Sequence, residues 1–184
     1  FYPDITHNVR CEYPVNFLED DWHYTLAATL SRESVNSRPT ELRTLYRIFA
    51  PYTIGSVSYS EGVHDDLNKA VWSAFEWDCN ADLREIILDY VRYFMYGTDE
   101  EKIADCIFLL EKNWQGAPEE NPCIDTSYRM FCELLKDYPE LSENWRFLQL
   151  YFRACCDKIV KMRRVFELNL IKDATDELKK RNYS

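Results

Sequence analysis

With 184 residues, 46% hydrophobic and 15% aromatic, the chain holds enough apolar material for one well-packed domain and a small appendage, which excludes a disordered polymer. The 32 acidic and 22 basic residues leave a net charge of -10, which disfavours a non-specific nucleic-acid surface or an anionic membrane surface. No apolar run reaches the length of a membrane span, no signal peptide is recognisable, and the seven cysteines show neither metal spacing nor a disulfide framework.

In chain order, residues 2–9 allow a strand and residues 18–30 a helix. Pro39-Thr40-Glu41 opens a second helix through Leu42, Leu45, Tyr46 and Phe49, although Thr40 is poorly placed to cap it so close to Pro39. Ile54, Val57 and Tyr59 are strand formers, and Gly55 suits a strand that another backbone approaches closely. After Ser60-Glu61-Gly62 the period changes: Leu67, Ala70, Val71, Ala74 and Phe75 recur at three and four residue steps, which predicts an amphipathic helix.

From there helix follows helix. Leu83, Ile86, Ile87, Tyr90, Val91 and Phe94 keep one apolar stripe, which Gly97 ends. Thr98 with Glu101 forms a capping-box pattern ahead of Ile103, Cys106, Ile107 and Leu110. Asn121-Pro122 marks a loop, and another helix is expected from about Asp125 to Tyr138, with Pro139 after it. Last comes the longest stripe, Trp145, Leu148, Phe152, Cys155, Ile159, Met162 and Phe166, which the pattern assigns to an intramolecular bundle core in preference to a dimer seam. The basic residues of 158–164 read as the solvated face of that helix, and beyond Asn169 the tail turns strongly charged.

The chemistry-bearing residues gather where strand passes into helix. Glu61, His64, Asp65, Asp66 and Asn68 occupy the loop after the strand-like run, the position at which α/β enzymes place their working groups. The structural alternative is that Asp65 or Asp66 simply caps the helix. His7, His23 and His64 lie in three separate segments, with no HExxH motif and no paired CxxC, so no metal and no cofactor are expected. Carboxylates accompanied by aromatics, here Asp4, Glu61 and Asp65 with Tyr59, Trp72 and Trp77, are what a carbohydrate site requires, because sugar rings stack on aromatic faces and carboxylates bind hydroxyls.

Three segments carry a family resemblance: YPDITHNVRCEYP over 2–14, GSVSYSEGVHDDLNKAVWSAFEWD over 55–78 and NWRFLQLYFRACCDKIVKMRR over 144–164. Together they resemble the C-terminal part of bacterial glycoside hydrolase-like proteins, in which a (β/α)8 barrel precedes a helical domain. The Trp77-Asp78 and Tyr96-Gly97 pairs are similar to the barrel end of α-glucuronidase and N-acetylglucosaminidase-type enzymes. The resemblance implies a mainly α chain: residues 1–63 as a segment with one or two strands from the end of a barrel, and 64–184 as a helical bundle. It places Asp4, His7, Arg10, Tyr59, Glu61 and Asp65 at a sugar-binding mouth, and it implies a periplasmic or secreted location. A barrel needs ~250 residues, so the catalytic acids would belong to an upstream part of the same protein, the isolated chain would not be active, and the catalytic residues stay unassigned. The start at Phe1 fits a fragment or processed product.

Three functions therefore stand as expectations. The first is the C-terminal portion of a glycosidase that supplies substrate-binding residues and a structural helical domain. The second is a helical protein-interaction module without catalysis. The third, weaker, is a stand-alone hydrolase using His64 with Asp65 or Glu61.

Overall fold

A computed structural model describes residues 1–3, 5, 35–60 and 63–182. The expected helix over 18–30, together with Asp4, His7, Arg10 and Glu61, lies outside them. The described chain is mainly α, with six helices: α1 (Pro39–Phe49), α2 (Asp66–Trp77), α3 (Leu83–Phe94), α4 (Glu100–Lys112), α5 (Pro122–Asp137) and α6 (Trp145–Asn182). Successive helices from α1 to α6 pack on one another, and α4 also touches α1 and α6, which yields a bundle with α4 at its centre. Val71, Phe75, Ile87, Ile107, Phe131 and Phe147 are fully buried in one continuous core that Ile5, Val35 and Leu42 join from the N-terminal side.

Local chemistry explains most helix ends. Asp82 caps α3 by accepting from the Glu85 N–H at 3.1 Å, and Gly97 follows with φ +83°, a conformation that costs glycine little. The start of α4 differs from the capping-box expectation. Asp99 is the cap and accepts from the Lys102 N–H at 3.0 Å, while the Thr98 hydroxyl turns back to the Met95 carbonyl at 2.7 Å. α5 begins three residues before the expected Asp125, because Asn121 caps it and Pro122 occupies the first turn, where a missing N–H costs nothing.

Two ends draw on distant residues. No local side chain caps α1; the Glu111 carboxylate of α4 does so instead, accepting from the Thr40 and Glu41 N–H groups at 3.1 and 2.8 Å. Asn144 serves two helices at once. Its Oδ1 accepts from the Arg146 and Phe147 N–H groups that open α6, and its Nδ2 donates to the Phe94 carbonyl at the end of α3.

The strand expectation over 53–59 is met only in a reduced form. Ile54 and Val57 are exposed, and Gly55 at φ +155° interrupts the run. What remains is a parallel bridge: the Val57 N–H donates to the Phe1 carbonyl at 2.9 Å and the Tyr59 N–H to the Pro3 carbonyl at 2.8 Å. The Tyr59 carbonyl in turn accepts from the Ile5 N–H at 3.1 Å. Among the described residues there is no longer strand.

All six described cysteines are free thiols, and they differ sharply in environment. Cys106 is fully buried in α4, and burial pushes its thiol up to about 12, whereas Cys79 is exposed in the turn after α2. A thiol reagent at mild alkaline pH should therefore label Cys79 more than about 100-fold faster than Cys106, as read by site-resolved mass spectrometry. Comparable rates would show that α4 is not held in the core.

Candidate interaction surface

The junction that the sequence singles out is built as a structural joint. Asp65 stands at the start of α2, fully buried, with the Ser60 hydroxyl donating to its carboxylate at 2.9 Å. Asp66 does not cap the helix either. It accepts from the Tyr90 hydroxyl at 2.8 Å and from Arg146 Nε at 2.6 Å, so that α2, α3 and α6 meet on one carboxylate. Burial, with the Asp66 hydrogen bond, pushes the Tyr90 phenol well above its ordinary value. The Arg146 guanidinium lies 3.7 Å over the Phe94 ring and 4.2 Å from the Trp145 ring, which orients it toward Asp66.

Asn68 is the residue whose role the sequence reading missed. Its buried amide donates to the Ile5 carbonyl at 3.0 Å and the Asn36 carbonyl at 2.7 Å, and accepts from the Arg38 N–H at 3.3 Å. It thereby straps the N-terminal segments to α2. The signal was present: residues 68, 71, 72 and 75 share one helical face, so an asparagine at 68 falls on the core side and requires partners there. Trp72 is core, with its indole N–H donated to the Ser56 hydroxyl at 3.1 Å. His64 and Trp77 are exposed, and Tyr59 is half-buried with its ring 6.4 Å from that of Tyr2. Of the residues placed at a sugar-binding mouth, the structure thus describes Tyr59 and Asp65.

A second polar centre lies inside the bundle at the meeting of α4, α5 and α6. Arg153 and Asp157, one turn apart on α6, pair at 2.7 Å with both side chains nearly inaccessible. Asn113 Nδ2 donates to Asp157 and to the Ser127 hydroxyl, each at 3.0 Å, and the Arg153 guanidinium stacks 4.1 Å over the Trp114 ring. A cavity of about 200 Å³ adjoins them, walled by Trp114, Ile124 and Val160. The cation is matched by the anion and the amide is spent on both neighbours, so the cluster acts as a fixed cross-tie of three helices. Among the described residues no group of three His, Cys, Asp or Glu side chains is placed to hold a metal ion.

The face of α6 overturns the reading of its stripe as bundle core. Phe147, Leu150, Ala154 and Val160 are the buried apolar residues, and they lie on the side opposite the predicted stripe. The stripe itself faces outward: Trp145 is 43% exposed, Phe152 48%, Ile159 56%, Met162 59% and Phe166 64%. Known proteins offer no guide to this surface. The chain matches no family model, no curated protein and no solved structure.

With half-buried Cys155 between the exposed Phe152 and Ile159, the stripe keeps steps of three and four residues from 145 to 166, the 3.5-residue period with which one helix seats another. Among the described side chains Val160 is the last buried one of α6, so the helix, roughly 57 Å long at 1.5 Å per residue, runs well beyond the core that supports its first half. No described helix is long and apolar enough to cross a membrane.

Proposed function

We propose that this chain is a helical protein-interaction module whose docking element is the exposed face of α6. The observation that carries the reading is the heptad-spaced row Trp145, Leu148, Phe152, Ile159, Met162 and Phe166, held in water by a bundle that buries the opposite side of the same helix. Large apolar patches left on a folded surface mark sites of association, and a row of this period fits a helix better than a flat or extended partner. The cross-ties at Asp66 and at Arg153–Asp157 supply the rigidity such a face needs, because they fix the roll of α6 about its own axis.

Titration of fluorescently labelled three-heptad peptides with apolar core positions, whatever their flanking charge, checks this. Binding should be saturable and should fall at least about tenfold with Ile159→Glu, an exposed substitution that leaves the bundle intact. Failure of every such peptide to bind would remove the reading.

One observation favours the glycosidase portion as a second reading. The pairing of Phe1, Pro3 and Ile5 with Val57 and Tyr59 is parallel, as neighbouring strands of a (β/α)8 barrel are. The resemblance supports the same reading through Asp4, His7, Arg10, Tyr59, Glu61 and Asp65. A glycan panel presented to the chain with and without upstream sequence separates the two. Sugar binding that survives Ile159→Glu would favour the second, and glycan-silent protein that still binds heptad peptides would favour the first.

A further inference from the structure

We infer that the occupant of the α6 face is an amphipathic helix of another protein, about three heptads long, whose apolar core positions are flanked by acidic residues. This inference rests on the docking reading given above. Taking the stripe residues as the two core positions of a heptad, the positions that flank them between 145 and 166 are Gln149, Tyr151, Cys156, Lys158, Arg163 and Val165. The two charged flanks are thus both cationic, and none of the six is a carboxylate. Flanking charges set partner choice in paired helices, so this face selects a helix with carboxylates along its edges.

The same charges argue against a second copy of this chain. In a parallel pair, Lys158 of one copy faces Arg163 of the other on both sides of the seam. In the antiparallel pair that stacks Leu148 on Phe166 and Phe152 on Met162, Lys158 faces its own equivalent across the two-fold. Like charges at these positions are unfavourable. Beyond Phe166 the core positions become Asn169, Asp173 and Asp176, so a longer parallel self-pairing would bring aspartates together in its centre. Both flanking cations already hold carboxylates within the chain, Lys158 that of Asp125 at 2.6 Å and Arg163 that of Glu167. Their side chains stay about one-third exposed, at 29% and 32%.

The area is adequate for a helix and little more. From their fractional exposures, the six seam residues present on the order of 600 Å² of apolar surface, against about 800 Å² per partner in a standard interface. Val165 and Leu170, exposed along the edges, supply the remainder.

Two synthetic 21-residue peptides test the inference on the full chain: both carry isoleucine and leucine at the core positions, one has glutamate at every flanking position and the other lysine. By fluorescence anisotropy at low salt the glutamate peptide should bind about tenfold or more tightly than the lysine peptide, and the gap should close as salt is raised. The double variant Lys158→Glu/Arg163→Glu should reverse the order of the two peptides, with far-UV circular dichroism confirming that the helices persist. Equal binding of both peptides, or preference for lysine, overturns the acidic partner and leaves the docking reading standing. Binding of neither overturns both. Light scattering that shows a dimer at the concentrations used, abolished by Ile159→Glu, overturns the foreign partner in favour of a second copy.

Discussion

Phe147→Ala should destabilise the chain by about 3–5 kcal/mol, whereas Phe152→Ala, five residues further along the same helix, should cost less than about 1 kcal/mol. Phe147 is fully buried and meets the edge of Phe131 at 5.4 Å between ring centroids, so truncation leaves a cavity that α5 and α6 cannot both close. Phe152 is 48% exposed, and its removal takes away surface that water already touches. Urea unfolding of the two variants under one condition gives the comparison directly. The reverse ranking is what the heptad stripe would demand if it were the bundle core, so equal losses, or a larger loss at Phe152, would mean that α6 is rolled by half a turn.

The second large effect is expected at the buried ion pair. Asp157→Ala should cost about 3–5 kcal/mol, because it leaves the Arg153 guanidinium in the interior without its anion and takes an acceptor from Asn113. The double variant Arg153→Met/Asp157→Leu should recover most of that loss, since an apolar pair of similar volume carries no desolvation penalty. Urea midpoints of the single and double variants read the difference. A single variant within about 1 kcal/mol of the parent would show that water reaches the pair. The functional consequence is separate. Because buried Phe147 and the Asp66–Arg146 tie still hold the roll of α6, a double variant that recovers stability should still present its stripe and still bind heptad peptides.

Some of the architecture was legible because it is local. The three and four residue spacing in α2, α3 and α4 requires an apolar face, Gly97 ends its stripe at a left-handed position, and the helices from 66 onward appear close to where periodicity puts them. Cap identity was less legible. Thr98 and Asp99 stand side by side with equally suitable side chains, and which of them turns toward the next helix depends on the path of the chain out of α3. The cap of α1 lies 70 residues away in Glu111, beyond the reach of any window of sequence. At the junction, a dense run of acids and an asparagine resembled a ligand loop because residues that bind ligands and residues that tie helices together are of the same types. Asp66 and Asn68 turned out to bond other parts of the chain.

By itself the sequence determined that the chain is mainly helical and where most of the helices lie, since backbone propensity and apolar spacing act within a few residues. Only the tertiary structure decided which side of α6 is inside. That helix carries two apolar faces half a turn apart, one through Phe147, Leu150 and Ala154 and one through Trp145, Phe152 and Ile159, and hydrophobic periodicity is satisfied by either. The choice falls to what the rest of the bundle offers. Asp66 can receive Arg146 and Asn113 can receive Asp157 only when Phe147 points inward, and the burial of those polar groups with their partners turns the more regular stripe out into water.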